Sequence, residues 1–363
     1  MTRFAPLALV CALTLTACDS NGTSGDPLSE AKENPGIWTW IDVDGAQCRD
    51  GSDTGFGIRI QEGATNLAIY LEGGGACFNG ITCGLNDDDF TESDFSALTA
   101  RSGNNGIFST AASNPVGDWN MVYVPYCTGD VHGGTATDVT VPDVDGMQQF
   151  VGHLNIQRYL GVLQPNLDAP DNVLLTGASA GGFGALVNFA EVADTFTGSQ
   201  MTLLDDSGPI FYDDDVFSPE LGTSFIQLFG FQNVFPADAG SLFAPDGLQG
   251  VYDYYATRYP NANLGLTSYL EDDTIRFFFG FGQADGTITG IEYADGLRDV
   301  RATAPERWQT YYANGNEHTF IGITDRFNGS SAGVPLNEWL GDLLAGTAGD
   351  VDPDITTRPL AGR

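Results

Sequence analysis

The sequence predicts an α/β protein: a mostly parallel sheet with helices on both faces and a helical cap region. Near-continuous apolar runs recur at residues 54–60, 66–71, 120–125, 172–176, 201–204 and 274–279, as in strands buried on both faces. Helical spacing lies between several of them. In 147–163 the residues Phe150, Val151, Leu154, Tyr159 and Val162 fall on one helical stripe, and 183–196 forms a second such stretch. A glycine-flanked serine, GASAGG at 177–182, joins the run 172–176 to that second helix.

Each part of the chain supports this reading. At 363 residues and 42% hydrophobic, the chain can bury one large core. Residues 1–17 carry one cation, Arg3, followed by an apolar stretch too short to stay in a membrane, which predicts a signal peptide. Leu15-Thr16-Ala17-Cys18 has the form of a bacterial lipobox, so Cys18 is the expected lipidation site and the protein is expected at the bacterial cell envelope, on the periplasmic or cell-surface side. Residues 18–36 read as a polar tether, 37–345 as the α/β domain and 346–363, rich in Asp, Pro and Gly, as a loose tail. The mixed, aromatic-rich stretch 218–270 reads as helices over the sheet.

Charge narrows the partners. Against 14 Lys and Arg stand 48 Asp and Glu, for a net charge of -34. Such a surface repels polyanions, which excludes nucleic acid and disfavours acidic polysaccharides. With Cys11 lost in the signal and Cys18 lipidated, Cys48, Cys77, Cys83 and Cys127 remain. In an exported protein four cysteines read as two disulfides with three possible connectivities. No CxxC pair or histidine cluster supports zinc instead.

Gly177-Ala178-Ser179-Ala180-Gly181 fits the G-x-S-x-G nucleophile elbow, in which a strained turn between strand and helix presents the serine. The N–H of Ala180 then faces the site of a developing oxyanion. A second glycine run, Leu71-Glu72-Gly73-Gly74-Gly75-Ala76, follows an earlier strand, where this fold takes further oxyanion donors; Glu72 stands where that loop often has histidine. Serine needs a base. His153 lies inside an amphipathic helix and reads as structural, while His132 precedes the serine, the wrong order for this fold. His318 comes late and is selected by the order nucleophile, acid, base. If 274–279 is a strand, Asp285 lies in the loop beyond it and is the expected acid, whereas Asp272 and Asp273 lie at its wrong end.

Four stretches, Leu71-Glu72-Gly73-Gly74-Gly75-Ala76-Cys77-Phe78-Asn79, Val124-Pro125-Tyr126-Cys127-Thr128-Gly129-Asp130, the GASAGG turn and Asp205-Asp206-Ser207-Gly208, occur in the order found in the pectin acetylesterase family, which the chain resembles over roughly 48–320. The resemblance implies an α/β-hydrolase fold, a Ser179–Asp285–His318 triad, and oxyanion donors Gly75, Ala76 and Ala180. It also implies disulfides Cys77–Cys83 and Cys48–Cys127. The family usually has Trp where this chain has Ala76, which removes a wall of the acyl pocket; His132 or Phe78 is then expected to line the substrate site.

The expected function is serine ester hydrolysis of a short acyl group, such as acetyl, on a neutral polysaccharide or small alcohol. No metal or organic cofactor is implied, and membrane contact is through the N-terminal lipid only. One alternative is a hydrolase of longer acyl or polyester substrates on the same triad. Another is an inactive surface binding protein using the Asp-rich stretches 86–89 and 213–215 for calcium.

Overall fold

In the computed structural model, which describes residues 25–243 and 247–353, eight strands form one sheet. They are β1 (Trp38–Gln47), β2 (Asp53–Arg59), β3 (Asn66–Leu71), β4 (Asn120–Val124), β5 (Asn172–Ala178), β6 (Gln200–Asp206), β7 (Asn263–Tyr269) and β8 (Trp308–Ala313). The order across the sheet is β1-β2-β4-β3-β5-β6-β7-β8. β1 pairs antiparallel with β2, and β2 with β4; all other neighbours are parallel. Parallel strands covered on both faces must be apolar throughout, and β3 to β6 are buried along almost their whole length.

Helices α1 (Glu92–Ser102), α2 (Gly152–Asn166), α3 (Ala180–Thr195), α4 (Pro219–Phe229), α5 (Asp273–Gly280), α6 (Gly290–Thr303) and α7 (Leu336–Leu344) surround the sheet. On one face Ile156, Tyr159 and Leu160 of α2 and Leu186 and Phe189 of α3 pack with Ile69, Leu175 and Leu203. On the other, Phe95 of α1 and Trp339, Leu340 and Leu343 of α7 pack with Ala68, Leu174 and Leu204. Between β6 and β7 the chain makes α4 and further helical turns, the expected cap.

Several expectations need correction. Residues 274–279 are helical, because Asp272 caps the segment and Ile275 and Phe279, one turn apart, face the core. The strand is instead β7, within the stretch read as wholly helical. The tether does not reach residue 36: Ser29–Glu33 is a helical turn, and Leu28 and Ala31 are fully buried. The tail is not loose from 346. Val351 bridges to Tyr311 on β8, its N–H donating to the Thr310 carbonyl and its carbonyl accepting from Tyr312. Asp352 pairs with Arg301 at 2.8 Å. Cys18 and the signal peptide lie outside the described residues.

Candidate active site

Ser179 stands between β5 and α3 with φ 61° and ψ -121°, a conformation that strains any side-chain-bearing residue. Glycines make the turn possible. A Cβ on Gly181 would lie 1.9 Å from the Leu71 carbonyl oxygen, and one on Gly177 would lie 2.3 Å from that of Gly181. The elbow therefore sits directly on the end of β3, where the second glycine run begins. The Ala180 N–H opens α3 and has no partner within it.

The loop after β3 is clamped from behind. Tyr126 donates its hydroxyl to the Gly75 carbonyl at 2.7 Å, and Asn86 donates to that of Gly74. His132 Nε2 lies 2.8 Å from the Glu72 carbonyl, so that nitrogen carries the proton. The Glu72 carboxylate accepts the Tyr126 N–H at 2.9 Å, and burial pushes this carboxyl up to about 7. Gly75 has φ +85°, and the ring of Phe278 lies where its Cβ would be. Disulfides Cys77–Cys83 and Cys48–Cys127 flank the loop with the implied pairing.

The histidine arrives from the far side. β8 leads to His318, whose Nδ1 is 2.7 Å from Asp272 Oδ2. Asp272 is wholly buried, and its Oδ1 accepts the N–H groups of Thr274 and Ile275 at 2.9 and 3.0 Å as the cap of α5. His318 Nε2 is buried and makes no hydrogen bond. Arg326 donates to the carbonyls of His318 and Thr319, fixing the segment.

Beside Ser179 lies an apolar cavity. Gly75, Ala76 and Ala180 line it near the serine, and six phenylalanines, Phe183, Phe217, Phe225, Phe231, Phe278 and Phe279, contribute to its walls. They come from α3, the cap and α5.

The pectinacetylesterase family profile matches residues 31–249. The chain belongs to the pectinacetylesterase family. Similar relatives include palmitoleoyl-protein carboxylesterase notum1 of Xenopus laevis, 35% identical over 174 residues, which are 44% of this chain and 34% of that protein. Human palmitoleoyl-protein carboxylesterase NOTUM is 33% identical over 153 residues, 40% of this chain and 30% of its own. The matches thus span about a third of these relatives' length. Among solved structures, the Drosophila Wnt deacylase Notum superposes with TM-score 0.65 at 20% identity, covering 86% of this chain and 95% of that one. That likeness supports the α/β-hydrolase fold.

The family motifs map onto this geometry with one change of residue. Asp285 is exposed and, among the described residues, accepts only the N–H of nearby Thr287, at 3.2 Å. The carboxylate at His318 is Asp272, because α5 is a helix and Asp272 follows the carboxyl end of β7. His132 and Phe78 do not line the cavity. His132 lies behind the oxyanion loop against Tyr126, with ring centroids 4.7 Å apart, and burial lowers it to about 4. Phe78 packs on Phe225 and Phe281 and borders a separate surface groove. Of the Asp-rich stretches, Asn86 serves the glycine loop and Asp213 caps its own turn.

Proposed function

We propose that the protein is a serine carboxylic ester hydrolase with Ser179 as nucleophile, His318 as base and Asp272 as the acid that orients it. The observation that carries this is the Asp272–His318 bond together with the unused Nε2. Nδ1 donates to Asp272, which leaves Nε2 to take the Ser179 proton as the serine attacks. The N–H groups of Gly75, Ala76 and Ala180 stabilise the tetrahedral oxyanion. His318 then protonates the leaving alcohol, and water, deprotonated by the same nitrogen, releases the acid.

The largely apolar lining of the cavity supports an acyl group longer than acetyl, since its phenylalanine side chains offer contacts that a two-carbon acyl group would leave unused. This favours the longer-acyl reading over the acetyl one. The relatives' names, palmitoleoyl-protein carboxylesterases, agree with it. The leaving alcohol is a neutral molecule, consistent with the net charge of -34.

The test is covalent labelling by a fluorophosphonate together with p-nitrophenyl ester hydrolysis. Ser179→Ala should abolish labelling and lower turnover by about 10⁴–10⁶-fold with an unchanged melting temperature. Labelling that persists in this variant would remove Ser179 as the nucleophile. We propose further that the chain is exported and anchored by lipid on Cys18, in keeping with its two disulfides. Cys18→Ala should then move the protein from the detergent to the aqueous phase in detergent partitioning. Identical partitioning of the two forms would refute the anchor.

A further inference from the structure

The triad makes no use of Asp205-Asp206-Ser207-Gly208. Asp206 ends β6 and is completely buried. In the sheet it lies between Ala178, the residue before the nucleophile, and Thr267 of β7. Its backbone carbonyl accepts the N–H of Ser179 at 2.8 Å. Its carboxylate reaches the other way. Oδ2 accepts the N–H groups of Phe320 and Ile321, both at 2.8 Å. Oδ1 is bonded by the hydroxyls of Ser207 and Thr267 at 3.0 and 3.1 Å. One residue is therefore tied through its backbone to the nucleophile and through its side chain to the segment that follows His318.

We infer that Asp206 is a positioning residue that holds the His318 segment against the nucleophile elbow. The inference rests on the Ser179–His318–Asp272 reading above. The carboxylate of Asp272 orients the imidazole ring, but it does so from α5. Nothing in that bond fixes the distance between the backbone carrying His318 and β5. Asp206, on β6, bridges that gap, with its carbonyl on the Ser179 N–H and its carboxylate on the N–H groups of Phe320 and Ile321. Its bonds to two consecutive amides resist sliding of the segment along the sheet as well as lifting from it. A displacement of about 1 Å in a catalytic base can cost on the order of 10²-fold in rate.

The experiment compares Asp206→Ala and Asp206→Asn in the full chain. Alanine removes all four side-chain bonds. Asparagine can keep an oxygen on the two amides and turn its NH₂ to the hydroxyls, which can accept. Asp206→Ala is expected to lower kcat for p-nitrophenyl butyrate about 10²-fold with KM within about threefold, and to slow fluorophosphonate labelling in parallel. Asp206→Asn should recover most of both. A folded Asp206→Ala protein, judged by near-UV circular dichroism, with kcat within twofold of the parent overturns the inference. So does an asparagine variant as impaired as the alanine one. If Asp206→Ala fails to fold, Thr267→Val decides. A threefold to tenfold loss of kcat at unchanged KM, restored in Thr267→Ser, supports the tie, and no loss refutes it. Ser179→Ala is measured alongside. Should it stay active, the triad reading fails and takes this inference with it; should it be dead while Asp206→Ala is unimpaired, only the inference falls.

Discussion

Helix α5 has an aspartate at each end, and the two live in different media. Asp272, before its first turn, is buried and holds two backbone N–H groups and the His318 ring. Asp285, past its last turn, is exposed and accepts an N–H from its own loop. Between them the helix turns Ile275, Phe278 and Phe279 into the apolar cavity. The same residue type is thus a fixed partner of imidazole at one end and a solvated charge at the other. What separates them is that Asp272 follows a strand end and Asp285 a helix end. Asp272 comes three residues after β7, at the carboxyl edge of the sheet where Ser179 and His318 also emerge. In a chain with 48 acidic residues, position relative to a strand end and the number of desolvated donors distinguish a working carboxylate from the rest.

The strongest way to break this comparison is to neutralise both ends. Asp272→Asn should lower kcat about 10⁴-fold, because an amide facing His318 favours the wrong tautomer. Asparagine is as good a helix cap as aspartate, so the melting temperature should change little. Asp285→Asn should stay within about twofold of the parent. Comparable losses at the two sites, measured as kcat on p-nitrophenyl butyrate, would end the distinction.

The middle of the helix offers a subtler probe. Ala76 lines the same cavity as Phe278 and Phe279 and is 4% exposed. Ala76→Trp should overpack this space by about 1–3 kcal/mol, which lowers kcat/KM for the octanoate ester roughly 5–150-fold while leaving the acetate ester within about threefold. A uniform loss over acetate, butyrate and octanoate would instead indicate a displaced oxyanion loop.

A third carboxylate sharpens the contrast, since Glu72 is half-buried and its carboxylate has no imidazole to pair with. Burial raises it from its ordinary 4.5 to about 7. Across that window the folded protein keeps a proton that the unfolded chain has released, so this group makes stability fall as pH rises. Glu72→Gln, neutral throughout, should escape that loss. The difference in melting temperature, variant minus parent, should grow by a few degrees from pH 5 to pH 8. A difference that stays constant would show Glu72 to be ionised in the folded protein throughout.

Sequence patterns disclosed those parts of the site that are local. The elbow and the glycine loop need glycine at fixed positions because backbones pass there within contact distance, as at Gly181 and Leu71. His318 followed from chain order. Asp272 was hidden because its role depends on β7, and β7 does not look like a core strand. Asn263, Gly265, Thr267 and Ser268 dilute its apolar pattern. The glycine is there because α7 packs close: a Cβ on Gly265 would lie 2.6 Å from Leu343. Conversely Phe277-Phe278-Phe279 looks like a strand by composition, and the cap at Asp272 with burial at helical spacing overrides that preference. Cys77–Cys83 and Cys48–Cys127 came from family likeness, since spacing alone leaves three pairings.

The short pairing of Val351 with β8 has a consequence for the protein in crowded solution. β8 is the last strand of its sheet, and an open last strand offers a ready template to the strand of a neighbouring molecule. Val351 occupies the Tyr312 N–H and the Thr310 carbonyl, and Asp350 takes the Thr310 N–H at 2.8 Å. Asp352, buried and anchored to both Arg301 and Arg298, keeps that cover in place. A few residues beyond the last helix thus act as a guard against edge-to-edge aggregation, on a molecule whose other defence is its net negative charge.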